Sequence, residues 1–580
     1  MLTNKGDLFF TIWRDRYIRN LIRNYKFSNQ TIRVGLGYLD RNHQYLSLLD
    51  TVHYDIYIEF YCHENHVLLE YFKHPFSSLY NSVVVCLQYT IDDILNDGGG
   101  RFHKTVKKFE IEYPANLGAL VNLSYIPAGV TDLSVNCNNQ HTDAEYACTL
   151  PPHLKKLSLS GIVFRNQRDD QRMGLPDSLE YLFVSCGDLK LPKIFPSSLN
   201  TLHLLHNRLH ESMPFIEIPE SVSNVKAHGS VDSFSKYKVP FGKVYKDCII
   251  SIDSTEELGQ LHLFPWVSEV NLSGFSKTKP VFDQTRHLHV KKIHFQSCCS
   301  LESLPPLLES LKIYYYNRPT PIGCLPNTLS VLELAVYNKP IPIGLLPQSL
   351  TSLRLFAFNY PLTRGALPSG ITDLNLMSFN HQLEPYTLPK CLKKLNINGY
   401  GKFIDQVNII PNGLVTLSLN DLTSVSPGTL PSSITQVTLC NIDFLVNHKE
   451  ILPESLQKLV ASFKVSDAQQ HFANQTNKLM ELPSSITNLS LSAISFGIDN
   501  KPIKSPIRIP KSVKHLEISD ILIERDLIPD GCFYLSCNCA QPIAMDTLPR
   551  SIRVVNLPRQ PDDLKELSLL CRIDRKGVRN

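Results

Sequence analysis

Leu325-Pro326-Asn327-Thr328-Leu329-Ser330-Val331-Leu332-Glu333-Leu334 decides the fold, because its pattern returns at a fixed distance along the chain. Its constant positions read Pro-x-x-Leu-x-x-Leu-x-Leu. The next copies are Pro347 with Leu350, Leu353 and Leu355, Pro368 with Ile371, Leu374 and Leu376, and Pro389 with Leu392, Leu395 and Ile397. From Pro305 to Pro389 the prolines stand 21 residues apart each time, and Pro411, Pro431 and Pro453 follow at spacings of 22, 20 and 22. A period of this length marks an array of stacked structural repeats. The final Leu-x-Leu alternates with period two, so both leucines point to one face of a short strand and the residue between them to the other. Proline fixes φ and has no N–H, which suits the corner before the strand. One copy cannot bury its apolar face alone; parallel stacking of copies buries a continuous core.

Weaker copies extend in both directions. They begin at Pro127, Pro151, Pro176, Pro196 and Pro219, and late ones at Pro483, Pro510 and Pro549. A shortened copy lies at Pro265 with Val267, Val270 and Leu272, and one without proline at Val290, Ile293 and Phe295. The total is about seventeen. The stretches 220–264 and 520–548 read as insertions or decayed copies. About a dozen residues separate each strand from the next proline and carry Pro, Gly and Asn, which oppose helix. The predicted fold is therefore a β-rich solenoid of stacked parallel strands, with extended or turn-like return paths and few helices outside the termini.

The return path holds a second motif. It reads Tyr316-Asn317-Arg318-Pro319, Tyr337-Asn338-Lys339-Pro340-Ile341, Phe358-Asn359-Tyr360-Pro361-Leu362 and Phe379-Asn380-His381-Gln382-Leu383. An aromatic, Asn, any residue, then Pro and Ile or Leu, followed by Leu-Pro-x-Ser-Leu, resembles the FNIP repeat, a leucine-rich-repeat-like family expanded in social amoebae. The match is specific in 316–400 and covers roughly 126–557. The resemblance implies an interaction scaffold and supplies no catalytic residue to carry over. Pro326, Pro347, Pro368 and Pro389, with Asn317, Asn338, Asn359 and Asn380, are the expected structural motif. The asparagines would bond backbone groups at the turn and form a ladder inside the coil. In ordinary leucine-rich repeats the Asn follows the last strand leucine by three residues. Here Asn338 follows Leu334, and Asn359 follows Leu355, by four. Leu199-x-x-Leu202-x-Leu204-x-x-Asn207-x-Leu209 does fit the ordinary pattern.

The chain divides on this basis into 1–30, an amphipathic helix; 31–125, strand-rich decayed coils or a small cap domain; 126–557, the solenoid, most regular over 305–460; and 558–580, a capping helix with a basic tail. Residues 7–25 place Phe9, Ile12, Trp13, Ile18, Leu21, Ile22 and Tyr25 in one stripe among Arg14, Arg16, Arg19 and Arg23. That stripe suits a cover over the first open coil. An F-box-like docking helix is the alternative, although no Leu-Pro opens it. In 31–125, Tyr54-Asp-Ile56-Tyr-Ile58-Glu-Phe60 and Val106-Lys-Lys-Phe109-Glu-Ile111 alternate as strands do. Pro561-Asp562-Asp563 opens the expected C-terminal helix, and Arg572, Arg575, Lys576 and Arg579 form the expected tail.

At 580 residues the chain exceeds one compact core. Its net charge of +4 gives no basic field for nucleic acid. No apolar run approaches the ~20 residues that span a bilayer, and Arg14 to Arg19 interrupt any signal-peptide pattern. Fifteen cysteines without a framework read as reduced, buried thiols. The expected location is the cytoplasm, or the nucleus. Cys532, Cys537 and Cys539 come nearest to a metal cluster but lack paired zinc spacing. Asp97-Gly98-Gly99-Gly100-Arg101 lacks the Lys-Ser/Thr of a phosphate loop. No cofactor, metal, nucleic acid, membrane or small-molecule ligand is expected, and no catalytic residue stands out. The surface that remains is the outward strand column Lys312, Glu333, Arg354, Asn375, Asn396 and Ser418, which suits a protein or peptide partner. The expected function is a protein-interaction scaffold. The alternatives are a substrate receptor of a ubiquitin ligase and an enzyme with its site in a non-repeat segment.

Overall fold

The computed structural model describes residues 16–86, 100–113, 120–121, 123–137, 144–146, 150–164, 175–188, 195–208, 215–275, 280–282, 285, 287–297, 300–441, 448–465, 480–495, 503–505, 507–538, 547–556 and 572–573. It has two compact units. The first comprises Met1–Ile252 with Gly259–Asn271, the second Asp253–Leu258 with Leu272–Asn580. Each is a parallel β-solenoid.

In the second unit the ladder runs through Lys292–Ser297, Ser310–Tyr315, Val331–Leu334, Ser352–Arg354, Asp373–Asn375, Lys394–Ile397, Thr416–Leu419, Gln436–Leu439, Lys458–Val465, Asn488–Ser495, His515–Ser519, Tyr534–Asn538, Val554–Asn556 and Arg572–Ile573. Every neighbour is parallel, and the register aligns equivalent leucines: Leu311, Leu332, Leu353, Leu374, Leu395 and Leu417. All six are buried.

Three devices build each coil. The first is the proline corner. The Pro326 carbonyl accepts the Leu329 N–H at 3.1 Å, and Pro347, Pro368, Pro389 and Pro411 repeat the bond to the residue three on. That turn swings the first leucine inward. The second is a hydroxyl two residues after the proline, which donates to the carbonyl of the inward residue one coil back. Thr328 reaches the Leu308 carbonyl at 2.7 Å, Ser349 that of Leu329 at 2.6 Å, Ser433 that of Leu414 at 2.6 Å and Ser455 that of Ile434 at 2.8 Å. The third is a left-handed residue three before the proline. Gly323, Gly344 and Gly365 hold it at φ 87°, 86° and 87°, where a side chain is strained. Tyr386 and Asn408 occupy the same place at φ 65° and 69°.

The aromatic of the return path packs inward and stacks on its counterparts. Tyr316 lies 6.2 Å from Tyr337, Phe358 6.1 Å from Phe379, and Phe379 6.2 Å from Tyr400, with rings nearly parallel. Such separations fall in the range of offset-stacked rings.

In the first unit the ladder runs through Thr31–Arg33, Tyr57–Cys62, Ser82–Cys86, Lys108–Tyr113, Asp132–Cys137, Lys156–Ser160, Tyr181–Asp188, Thr201–Arg208, Asn224–Ser230 and Tyr245–Ile252. The described parts of 31–113 are thus coils of the same ladder. Their return paths carry the helices Leu36–Leu46 and Asn65–Lys73, and Phe60, Tyr71, Tyr80 and Phe109 fill them. The stretch 220–264 holds Val225 and Ala227 on one buried strand and Cys248, Ile250 and Ile252 on the next. Between them sits the helix Val231–Ser235, whose Ser233 N–H donates to Ser230 Oγ at 3.3 Å.

The stretch 520–548, read as insertions or decayed copies, holds a decayed copy, and two other expectations are corrected. The Pro529 carbonyl accepts from Cys532 N–H, and Tyr534–Asn538 continues the ladder. Cys532 and Cys537 fill two of its three inward positions, with Leu535 between them; Cys539 lies outside the described residues. Arg572, assigned to a solvated tail, belongs to a short strand paired with Val554. The described part of the N-terminal helix, Arg16–Phe27, turns its polar side to the protein. Asn24 is buried and its Oδ1 accepts from the Asp50 N–H, while Leu21, Ile22 and Tyr25 are exposed. Residues 7–15 of that helix, the C-terminal helix of 561–570 and the tail of 574–580 lie outside the described residues, as does most of the loop of 97–101.

Candidate interaction surface

The outward column expected from the sequence is present and in register. Lys312 lies opposite Glu333, Glu333 opposite Arg354, Arg354 opposite Asn375, Asn375 opposite Asn396 and Asn396 opposite Ser418. The Arg354 guanidinium approaches Glu333 at 3.8 Å and Asp373 at 3.3 Å, so much of its charge is matched within the face. These groups are partly exposed, and such pairs contribute little to stability. Their value is positional, since the ladder holds each side chain at a set spacing. Asn375 Oδ1 is shielded from solvent and accepts no hydrogen bond among the described residues.

The asparagine motif does form a ladder. Asn317 Oδ1 accepts from the Asn338 N–H at 2.9 Å, Asn338 from Asn359 at 2.9 Å, Asn359 from Asn380 at 2.9 Å, and Asn380 from the Gly401 N–H at 3.0 Å. It stands at the surface, not inside the coil: Asn317, Asn359 and Asn380 are exposed and Asn338 is half-buried. The aromatic before each Asn turns inward, so the next residue along an extended chain turns outward.

The outward face of the first unit carries residues the sequence reading did not single out. Tyr181 and Phe183 flank the inward Leu182, and the next strand sets Thr201 and His203 opposite them. Tyr181 Oη and His203 Nδ1 are 3.1 Å apart, the Phe183 and His203 ring centres lie 6.3 Å apart, and Leu205 is exposed. Burial, with the Lys226 ammonium beside it, holds the His203 imidazole below its ordinary range and therefore neutral at pH 7. Lower on the same face Arg33 Nε bonds Glu59 Oε1 at 2.8 Å and its guanidinium lies 4.3 Å from the Tyr61 ring centre. The rule that picked Lys312 and Glu333, the residue between two inward positions, also picks Phe183 and His203.

Chemistry at this surface is sparse. Burial pushes the Cys86 and Cys248 thiols up to about 12 and Cys532 to about 11, which keeps them protonated and poorly nucleophilic. Among the described residues no three His, Cys, Asp or Glu side chains converge as metal ligands. A void of about 10 Å³ between Leu332, Leu334, Tyr337, Leu345 and Leu355 is apolar and at the lower limit for one water. No described helix is long and apolar enough to cross a membrane.

The inward aromatic, the outward Asn and the proline corner recur together, and the FNIP Repeat family model matches residues 300–335 and 337–378. Residues 300–378 of the chain thus carry FNIP repeats. Solved structures similar to this chain include a leucine-rich-repeat protein. The circular leucine-rich-repeat protein CroV588 is 18% identical over 86% of this chain and 68% of its own, with a TM-score of 0.36. YopM from Yersinia enterocolitica WA-314 is 18% identical over 74% and 80%, with a TM-score of 0.28. The TLR13–ssRNA13 complex is 13% identical over 84% and 83%, with a TM-score of 0.44. No curated protein matches the sequence.

Proposed function

We propose that this chain is a non-enzymatic scaffold that binds a protein or peptide partner along the outward faces of its strands. The observation that carries this reading is the patch of Tyr181, Phe183, His203 and Leu205, where aromatic and apolar side chains stand half-exposed on paired strands. Interface hot spots favour aromatic anchors on rigid supports, where little conformational freedom is lost on binding. The neutral His203 adds no charge to desolvate. Free thiols at Cys62, Cys248 and Cys532 suit a reducing compartment, which favours the cytoplasm or nucleus. The test is affinity purification of the full chain with quantitative mass spectrometry, compared with Phe183→Asp and Leu205→Asp. Partners of the unaltered chain should fall at least tenfold with either substitution, at unchanged circular dichroism. A recovered set that neither substitution alters would refute the assignment to this face.

A further inference from the structure

We propose that the helix Arg16–Phe27 is an interfacial anchor that seats the chain on an anionic lipid surface. The helix is held to the protein by its polar side. Asn24 is only 7% exposed, and its Oδ1 accepts the Asp50 N–H at 3.0 Å. Positions 21, 22 and 25 share the other side by the three- and four-residue spacing of a helix. There Leu21 is 43%, Ile22 46% and Tyr25 79% exposed. An amphipathic helix of a globular protein ordinarily does the reverse and turns its apolar stripe to the core. Next to the Asn24 contact, Asp50 Oδ1 accepts the Val52 N–H and builds a turn from which Val52 projects, 77% exposed.

Charge selects the occupant. Arg19 and Lys26, both exposed, flank the outward apolar side, Arg23 is half-buried and donates to Asn20 Oδ1, and the helix has no acidic residue. A second copy docked on this face would bring like charge against like charge. An anionic headgroup layer takes the cations at its surface while Leu21 and Ile22 enter the acyl boundary, and the phenol of Tyr25 suits the depth between. Docking through the polar side leaves the solenoid on the water side of such a layer. The sequence alone hides this, because it suggests that the stripe covers the first coil.

The experiment is co-sedimentation of the full chain with vesicles of phosphatidylcholine alone or with about one-third phosphatidylserine. Binding is expected only to the anionic vesicles, and weaker in high salt. Leu21→Asp with Ile22→Asp should abolish it. Arg19→Gln with Lys26→Gln should weaken it about 25-fold, at roughly fivefold per basic residue. All four residues are exposed or at the helix surface, so circular dichroism should not change. Three results would overturn the proposal: no sedimentation with anionic vesicles, sedimentation indifferent to the Leu21 and Ile22 substitutions, or a dimer in light scattering that those substitutions split.

Discussion

Gly370 sits two residues after Pro368, where most other coils place a hydroxyl. The hydroxyls of Thr328, Ser349, Ser433, Ser455, Ser485 and Ser512 at that position each donate to the carbonyl of the inward residue one coil back, over 2.6–2.8 Å. Gly370 leaves the Leu350 carbonyl without that donor. A Cβ built on Gly370 would meet the Gln348 and Leu350 carbonyl oxygens at 3.6 Å, an ordinary contact, and its φ is not in the left-handed region. Gly370→Ser should therefore supply the missing bond. A net hydrogen bond contributes about 1 kcal/mol, and replacing glycine at a compatible backbone adds roughly 0.5–1 kcal/mol by restricting the unfolded chain. Gly370→Ala gains only the second contribution. Urea unfolding followed by circular dichroism, with the slope held common, should rank Ser above Ala above Gly, with about 1 kcal/mol between the first two. Serine no more stable than alanine would show that the hydroxyl bond contributes nothing to coil stacking, and the role assigned to the Ser of Leu-Pro-x-Ser-Leu would fall with it.

Tyr386 holds the left-handed corner at φ 65° with a bulky side chain. Tyr386→Gly should stabilise by about 1 kcal/mol through relief of that strain, less about 0.5 kcal/mol for the Arg364 guanidinium that lies 5.6 Å from the Tyr386 ring centre; a loss of stability in thermal unfolding would count against the strain. Gly344→Ala, at φ 86°, should instead destabilise by about 1–2 kcal/mol in the same assay. His203 binds its proton less readily folded than unfolded. Its contribution to stability is therefore full above the unfolded value of about 6.5 and declines as pH falls below it, so His203→Gln should flatten the pH dependence of unfolding between about pH 7 and 5. Cys391 is exposed, whereas Cys248 is buried with its thiol near 12. Iodoacetamide at pH 8 should label Cys391 in the folded chain and reach Cys248 only after denaturant is added, as read by peptide mass spectrometry.

The ladder was legible in the sequence because it obeys two short-range rules, the proline corner and the two-residue alternation of the strand. Each is printed in every regular coil. Where the rules held in physics but not in letters, legibility failed. Pro529-Asp530-Gly531-Cys532-Phe533-Tyr534-Leu535-Ser536-Cys537 forms the corner and strand of a coil, yet two of its three inward positions are cysteine. A buried thiol is a small hydrophobe. A search for leucine therefore passes over it, and a search for metal ligands stops there for the wrong reason. Sorting by burial rather than by residue name recovers it. The inverted helix failed differently. Its stripe of Leu21, Ile22 and Tyr25 is plain in the sequence, but a period of 3.6 states only that one face is apolar. Which face meets the protein was decided elsewhere, by the Asp50 N–H that needed an acceptor and found Asn24. Periodicity thus predicts the existence of a face, and long-range hydrogen bonds choose its direction. In this chain the faces left pointing outward, on the helix and on the strands of Phe183 and His203, carry both functional proposals.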